Sequence, residues 1–295
     1  MKKLYQIFVD STADLSQEMA DELNLSVIPL VYVLDGKEYT NYLDHREMPP
    51  EEFYRALKSG KTASTTQVSA FRYKEAWEPV LKNGQDILYI CLSSGLSKSY
   101  DQSKIAVNEL AKKYPNNKVV SLDSKAASLG IGLLAIEAAK CRDKDITLDE
   151  TLKIMEDLIP NLHHWIIVDD LGHLRRGGRV SGAAAFVGSM LNVKPILTLL
   201  GDGSITPVAK ARGRRKAVEF VLKKMEEHCF NPINQTIAMA HSASLFYAME
   251  LKEAITKKYP DVEFLFNGLG PVIGAHTGSD TIACAFIAGP RHTTS

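Results

Sequence analysis

The chain has 295 residues, 45% of them hydrophobic and 24% charged, and its 35 basic side chains are cancelled by 35 acidic ones. That length supports two domains around a sizeable core. The charge balance excludes whole-molecule steering toward nucleic acid or an anionic membrane surface, so any anion recognition must be local.

Residues 5–9 read as a strand and 16–23 as a helix capped by Ser16. The apolar run at 4–9 is broken by Gln6 and closed by Asp10, too short for a signal-peptide core. Residues 25–33 follow as a second strand, and Asp35-Gly36 turns the chain back through 37–40. Pro49-Pro50-Glu51-Glu52 opens a helix ending near Gly60, since proline and acids suit a first turn. Then come a helix at 68–81, a strand at 87–92, a helix at 98–114, a strand at 118–122 and an alanine-rich helix at 125–140. Strands separated by helices predict parallel βαβ units with right-handed crossovers.

The charged, unpatterned stretch CRDKDIT marks a boundary, giving an N-terminal domain of residues 1–146 and a C-terminal domain of 147–295. The second part reads as a helix at 148–158, a strand at 164–168, a glycine-rich basic turn at 174–181 and a small-residue helix at 181–191. A hairpin of 195–200 and 205–210 turns at Gly201-Asp202-Gly203. It precedes a helix at 214–228, a strand at 236–240, a helix at 244–258 and strands at 262–266 and 281–287. The expected class is α/β with two domains: a parallel α/β sheet domain, then an α+β domain with a mixed sheet, with a ligand cleft between them. The most membrane-like stretch, 180–200, contains Asn192, Lys194 and Pro195, so no stable membrane insertion is expected. Four scattered cysteines (Cys91, Cys141, Cys229, Cys284) fit reduced thiols and a cytoplasmic location.

The chain lacks GxxxxGK[ST], a GxGxxG after a strand, GxSxG, HExxH and any cysteine–histidine cluster. Most common routes to an enzyme or a metal site are therefore missing. Three hydroxyl-rich segments remain, each placed at a strand end: Asp10-Ser11-Thr12-Ala13-Asp14, Ala63-Ser64-Thr65-Thr66-Gln67-Val68-Ser69 and Ser93-Ser94-Gly95-Leu96-Ser97. One such segment alone reads equally well as a cap or turn. Converging at one sheet edge, their hydroxyls and free helix N–H groups would suit a carboxylate. Ser97, just before a helix, can cap it and still present its hydroxyl.

Leu174-Arg175-Arg176-Gly177-Gly178-Arg179-Val180-Ser181 crowds three arginines around flexible glycines, and guanidinium forks suit phosphate or carboxylate. Lys210, Arg212, Arg214, Arg215 and Lys216 gather at a helix start, where cations oppose the dipole and an acidic partner would relieve them. Both clusters also fit a solvated basic surface. His276, bracketed by glycines in Gly274-Ala275-His276-Thr277-Gly278-Ser279, fits a ligand contact or a structural role. Small and flexible apolar faces at 183–187 and 190–191 suit pocket walls or plain core packing. Ser94 or Ser97 with His276 could instead serve an acyl hydrolase or transferase, but no acid is evident to orient the histidine. A nucleic-acid binder built on the arginine clusters is opposed by the neutral charge and the lack of a recognition helix.

Taken together, these segments resemble the DegV family of bacterial fatty-acid-binding proteins. The resemblance rests on Phe8-Val9-Asp10-Ser11-Thr12-Ala13-Asp14, Thr65-Thr66-Gln67-Val68-Ser69, Leu92-Ser93-Ser94-Gly95-Leu96-Ser97-Lys98-Ser99-Tyr100, the arginine segment and His276-Thr277-Gly278, in order along nearly the whole chain. It implies one long-chain, palmitate-like fatty acid between the two domains and no other cofactor. The acyl tail would lie in an apolar tunnel and the carboxylate would meet Thr65 and Ser97, with Ser94 and His276 beside them. It also implies a separate ATP-dependent fatty acid kinase that makes the acyl phosphate. Arg175, Arg176, Arg179 and Arg212 would then face that partner or the forming phosphate. Two departures stand out. The family's Thr-Ser-Gln-Pro-Ser has Val68 in place of its proline, and its Ser-Gly-Thr-Tyr appears as Ser97-Lys98-Ser99-Tyr100.

Overall fold

The computed structural model describes residues 4–169, 171–180, 192–228, 230–233 and 235–291. The first half runs β1 (Tyr5–Asp10), α1 (Gln17–Glu22), β2 (Leu25–Ile28), β3 (Leu30–Leu34), β4 (Lys37–Asn41), α2 (Pro50–Lys58), β5 (Ala63–Thr65), α3 (Ala70–Lys82), β6 (Asp86–Cys91), α4 (Ser99–Lys113), β7 (Val119–Asp123) and α5 (Leu129–Asp143). Strands β2-β1-β6-β7 form a parallel sheet in that order. Its central strands are apolar on both faces, with Ile7, Val9 and the run Ile87-Leu88-Tyr89-Ile90 all buried, because helices cover both sides. Ser16 caps α1 by accepting the Met19 N–H at 3.1 Å.

The second half runs α6 (Leu148–Leu158), β8 (Leu162–Ile167), α7 (Gly172–Arg176), β9 (Val193–Leu199), β10 (Ile205–Arg212), α8 (Arg214–Glu227), β11 (Thr236–His241), α9 (Leu245–Lys258), β12 (Glu263–Gly268), α10 (Pro271–Thr277) and β13 (Ile282–Ile287). Its sheet is mixed, in the order β10-β9-β8-β13-β11-β12; β11 and β12 pair in parallel and the other pairs are antiparallel. The chain is thus a two-domain α/β protein with one parallel and one mixed main sheet.

The expected strand at 25–33 is two strands in different sheets. Pro29 lies between them and has no N–H to give to a ladder. β2 pairs with β1, whereas β3 joins β4 and β5 in a separate antiparallel sheet. The basic turn at 174–181 begins inside α7, and Gly178 then takes φ +66°. His276 lies on α10 rather than in a turn between strands. The small-residue helix expected at 181–191, with its pocket-wall residues, and Cys229 lie outside the described residues.

α5 ties the halves together. It is apolar all round, as a helix without a solvent face must be. It packs on β1 and β6 and also on β11, β12 and β13. Close approach is possible because Gly130 faces the His164 ring and Gly132 faces Leu15 and Leu265. One continuous apolar cluster therefore runs through both halves.

Candidate ligand-binding site

A cavity of about 280 Å³ opens where the two halves meet. Leu30 and Leu92 from the first half and Ile166, Leu174, Leu269 and Val272 from the second make its walls mostly apolar. Its polar lining includes Thr65, Gln67, Ser97, Arg179 and His276, so two of the three hydroxyl-rich segments meet here. The first, Asp10–Asp14, does not line the cavity. Its Ser11 hydroxyl instead accepts the Leu30 N–H at 3.0 Å and an Asn41 side-chain N–H at 3.1 Å.

Thr65 ends β5 and stands 2.8 Å from His276 Nε2, measured from its Oγ1. Burial, followed by the Arg179 and His173 charges, pushes the His276 ring down to about 4, so it is neutral at pH 7. Its Nδ1 is buried with no hydrogen-bond partner among the described residues and packs against Gly177. A proton there would be a donor without an acceptor. The tautomer with the proton on Nε2 donates to Thr65 and leaves the Thr65 hydroxyl hydrogen free to donate elsewhere.

Ser97 sits two residues before α4 and accepts the Ser99 N–H at 3.2 Å, as a residue opening a helix should. Its hydroxyl lies 3.0 Å from Ser99 Oγ, which also accepts the Val68 N–H at 3.1 Å. That bond fastens the Thr65–Ser69 segment to the serine turn, and a proline at 68 could not make it. The Val68 departure therefore adds a tie between two walls. Lys98, the other departure, lines the rim of the cavity with its side chain largely in solvent, 3.5 Å from Asp101.

Ser94 is not brought to the cavity. Its N–H donates to Asp123 at 3.1 Å and its hydroxyl accepts from Lys125 at 2.8 Å. Ser93 is fully buried and donates to the Gly203 carbonyl at 2.8 Å, so it joins the turn to the β9–β10 hairpin.

The arginines separate as well. Arg179 lines the cavity, and its Nε donates to the Leu96 carbonyl at 3.1 Å, next to Ser97. Arg176 lines an adjoining cleft that shares Thr65, Arg179 and His276 with the cavity. Arg175 is exposed on α7, and Arg212 is exposed at the end of β10. In the second basic cluster Arg214 and Lys194 are not free cations, since both reach Asp169 Oδ1.

Two lining residues carried no sequence motif. Ser128 precedes α5 at φ +53°, and His164 lies on β8 beside Ile166. The alternation of Leu162, His164 and Ile166 along a strand is the signal that could have found His164, because it puts all three on one face. Burial pushes the His164 ring down to about 3. Ser128 donates to Asp14 Oδ2 at 2.6 Å, while Asp14 Oδ1 accepts the Gly270 N–H at 2.9 Å, just before the helix that carries His276.

Asp14 is 4% exposed, and burial raises its carboxyl from 3.8 to about 7. A carboxyl raised in the folded state stabilises the fold fully below its unfolded value, and that contribution is lost as pH rises through the folded one. Asp14→Asn removes the buried charge while its amide can still meet both neighbours. Relative to wild type, this variant should gain stability between about pH 4 and 7, levelling off on the order of 4 kcal/mol. Urea melts across that range check it; a difference independent of pH would contradict it.

Among the described residues no group of three or more His, Cys, Asp or Glu side chains is placed to hold a metal ion. None of the helices described is long and apolar enough to cross a membrane.

These features define a two-domain α/β protein with a mostly apolar cavity between its halves and a hydroxyl- and imidazole-lined end. The chain belongs to the DegV family: the family model, described as "Uncharacterised protein, DegV family", matches residues 5–289. A DegV domain-containing protein of Clostridium perfringens is 41% identical over 97% of this chain and 98% of its own length. A Thermus thermophilus DegV family protein, described for its fatty acid binding, superposes with TM-score 0.88 at 29% identity over 97% of this chain and 100% of its own. Bacillus subtilis DegV, described as a fatty acid binding protein, gives TM-score 0.84 at 29% identity over the same shares.

Proposed function

We propose that this protein binds one long-chain, palmitate-like fatty acid and presents it to a separate ATP-dependent fatty acid kinase for acyl-phosphate formation. The observation that carries the reading is the union of apolar walls and a neutral hydroxyl end in one cavity, in a chain whose structural relatives are described as fatty-acid-binding. Thr65 and Ser97 hold the carboxylate, His276 orients Thr65, and Ser94 acts one step removed through Lys125. The acyl chain runs between units divided at residues 146 and 147. Each buried CH₂ contributes about 0.8 kcal/mol, so a long chain supplies roughly 10 kcal/mol before ordering costs. A few hydroxyl donors then suffice for the head group.

Binding is favoured over acyl hydrolysis because His276 Nδ1 has no carboxylate partner among the described residues, and Ser94 lies away from it. The protein works in the cytoplasm without a cofactor of its own. Native mass spectrometry of the purified protein should show an added mass matching a fatty acid. Failure of delipidated protein to take up any fatty acid would overturn the reading.

Arg175, Arg176, Arg179 and Arg212 serve the kinase or the phosphate. The double change Arg175→Glu, Arg176→Glu should leave fatty-acid affinity within about twofold and slow acyl-phosphate formation about tenfold. An unchanged rate with the kinase would remove these two residues from that role.

A further inference from the structure

A second cavity, of about 680 Å³, shares Leu269 with the first but none of Thr65, Ser97 or His276. It lies between α2 and the carboxyl ends of β11 and β12, parallel neighbours connected by α9. Small ligands in α/β sheets sit off the carboxyl ends of such strands.

The two walls are chemically distinct. His241 ends β11 and Gly268 ends β12, and both line the cavity with Ala243 and Asn267. Facing them on α2 are Arg55 and Lys58, one helical turn apart, with Glu51 the one carboxylate in the lining. No ion pair holds Arg55 among the described residues, whereas Lys58 Nζ lies 2.9 Å from Asp280 Oδ2.

Three further observations mark the strand-end wall as short of partners. α9, fourteen residues long, starts with no side-chain cap and no acidic residue in its first turn. Its N-cap residue Ser244 is 4% exposed and its hydroxyl has no partner among the described residues. His241 Nδ1 is likewise buried and unpartnered, and Ala243, at φ +48°, carries the cavity wall up to the helix start. Unsatisfied N–H groups at a helix N-terminus, unpaired polar side chains and an unpaired guanidinium across a gap suit one kind of guest, an oxyanion.

We propose that this cavity is a second ligand site that takes a small phosphate monoester. Its phosphate sits between Arg55, Lys58 and the start of α9, and its ester group lies against Pro50, Tyr54 and Leu269. The site is independent of the fatty-acid reading.

The test is a titration of the ¹⁵N-labelled full chain with inorganic phosphate at constant ionic strength, followed by amide shifts. Saturable shifts should be confined to residues 45–58, 241–247 and 267–269, with a Kd of about 1 mM or tighter. Arg55→Glu breaks no ion pair and should weaken this binding about tenfold while leaving fatty-acid uptake unchanged. Absence of saturable shifts, or shifts that Arg55→Glu leaves as they were, would overturn the proposal.

Discussion

Replacing Thr65 by valine and Ser97 by alanine together should weaken fatty-acid binding about 100-fold while leaving the melting temperature nearly unchanged. A hydrogen bond to a charged group contributes about 1.5–3 kcal/mol, and a carboxylate at the end of an apolar cavity loses two of them in this variant. Neither side chain belongs to the core: both are half-buried, and Thr65 closes the short edge strand β5. Thr65→Val keeps the shape and removes only the hydroxyl, so His276 loses its partner as well. The single changes should each weaken binding less than the pair, and calorimetric titration of delipidated protein with palmitate reads all three. If the double variant binds as tightly as wild type, the head group lies elsewhere.

Gly95→Val should lower the melting temperature by roughly 5–10 °C, about 3 kcal/mol of stability, and weaken fatty-acid binding as well. A Cβ at Gly95 would meet Gly203 C and Ser204 N at 2.7 Å each, and both are backbone atoms that cannot swing aside. This contact joins the serine turn of the first half to the hairpin of the second, beside the Ser93 bond to the Gly203 carbonyl. Pushing the turn away moves Ser97 with it. A thermal melt and a binding titration on the same variant separate the two effects. Wild-type stability would mean that the hairpin turn gives way freely and does not hold the cavity closed.

Local signals in the sequence were read well wherever one residue type performs one task. Ser16, Ser69 and Thr147 each accept a backbone N–H at the helix start they precede, and Asp35-Gly36 makes its hairpin at positive φ. The parallel strands β1 and β6 were legible because fully buried strands are apolar without alternation. Legibility failed where tertiary contacts override local preference. α10 contains Gly274 and three β-branched residues, a poor helix by propensity, and it forms where Tyr54 packs closely over Gly274. β5 is three residues long, too short for a periodic signal, yet it delivers Thr65.

The site was legible in its parts and less so in its assembly. Thr65, Ser97 and His276 come from separate places in the chain and meet at one cavity, with Arg179 beside them. Ser94 resembles its neighbours in sequence but is committed to Lys125, a partner 31 positions along the chain that no local pattern announces. Ser128 gave no signal because its role depends on a left-handed backbone and on Asp14, which arrives from the far end of β1. Val68 looked like a lost proline. Only the fold reveals that its N–H ties the threonine segment to Ser99.

The most direct test is a crystal structure of the delipidated protein reloaded with palmitate. Continuous density should fill the cavity between Leu92, Ile166 and Val272, with the carboxylate within hydrogen-bond distance of Thr65 Oγ1 and Ser97 Oγ. A palmitate bound outside this cavity, or one whose carboxylate points away from both hydroxyls, would contradict the account.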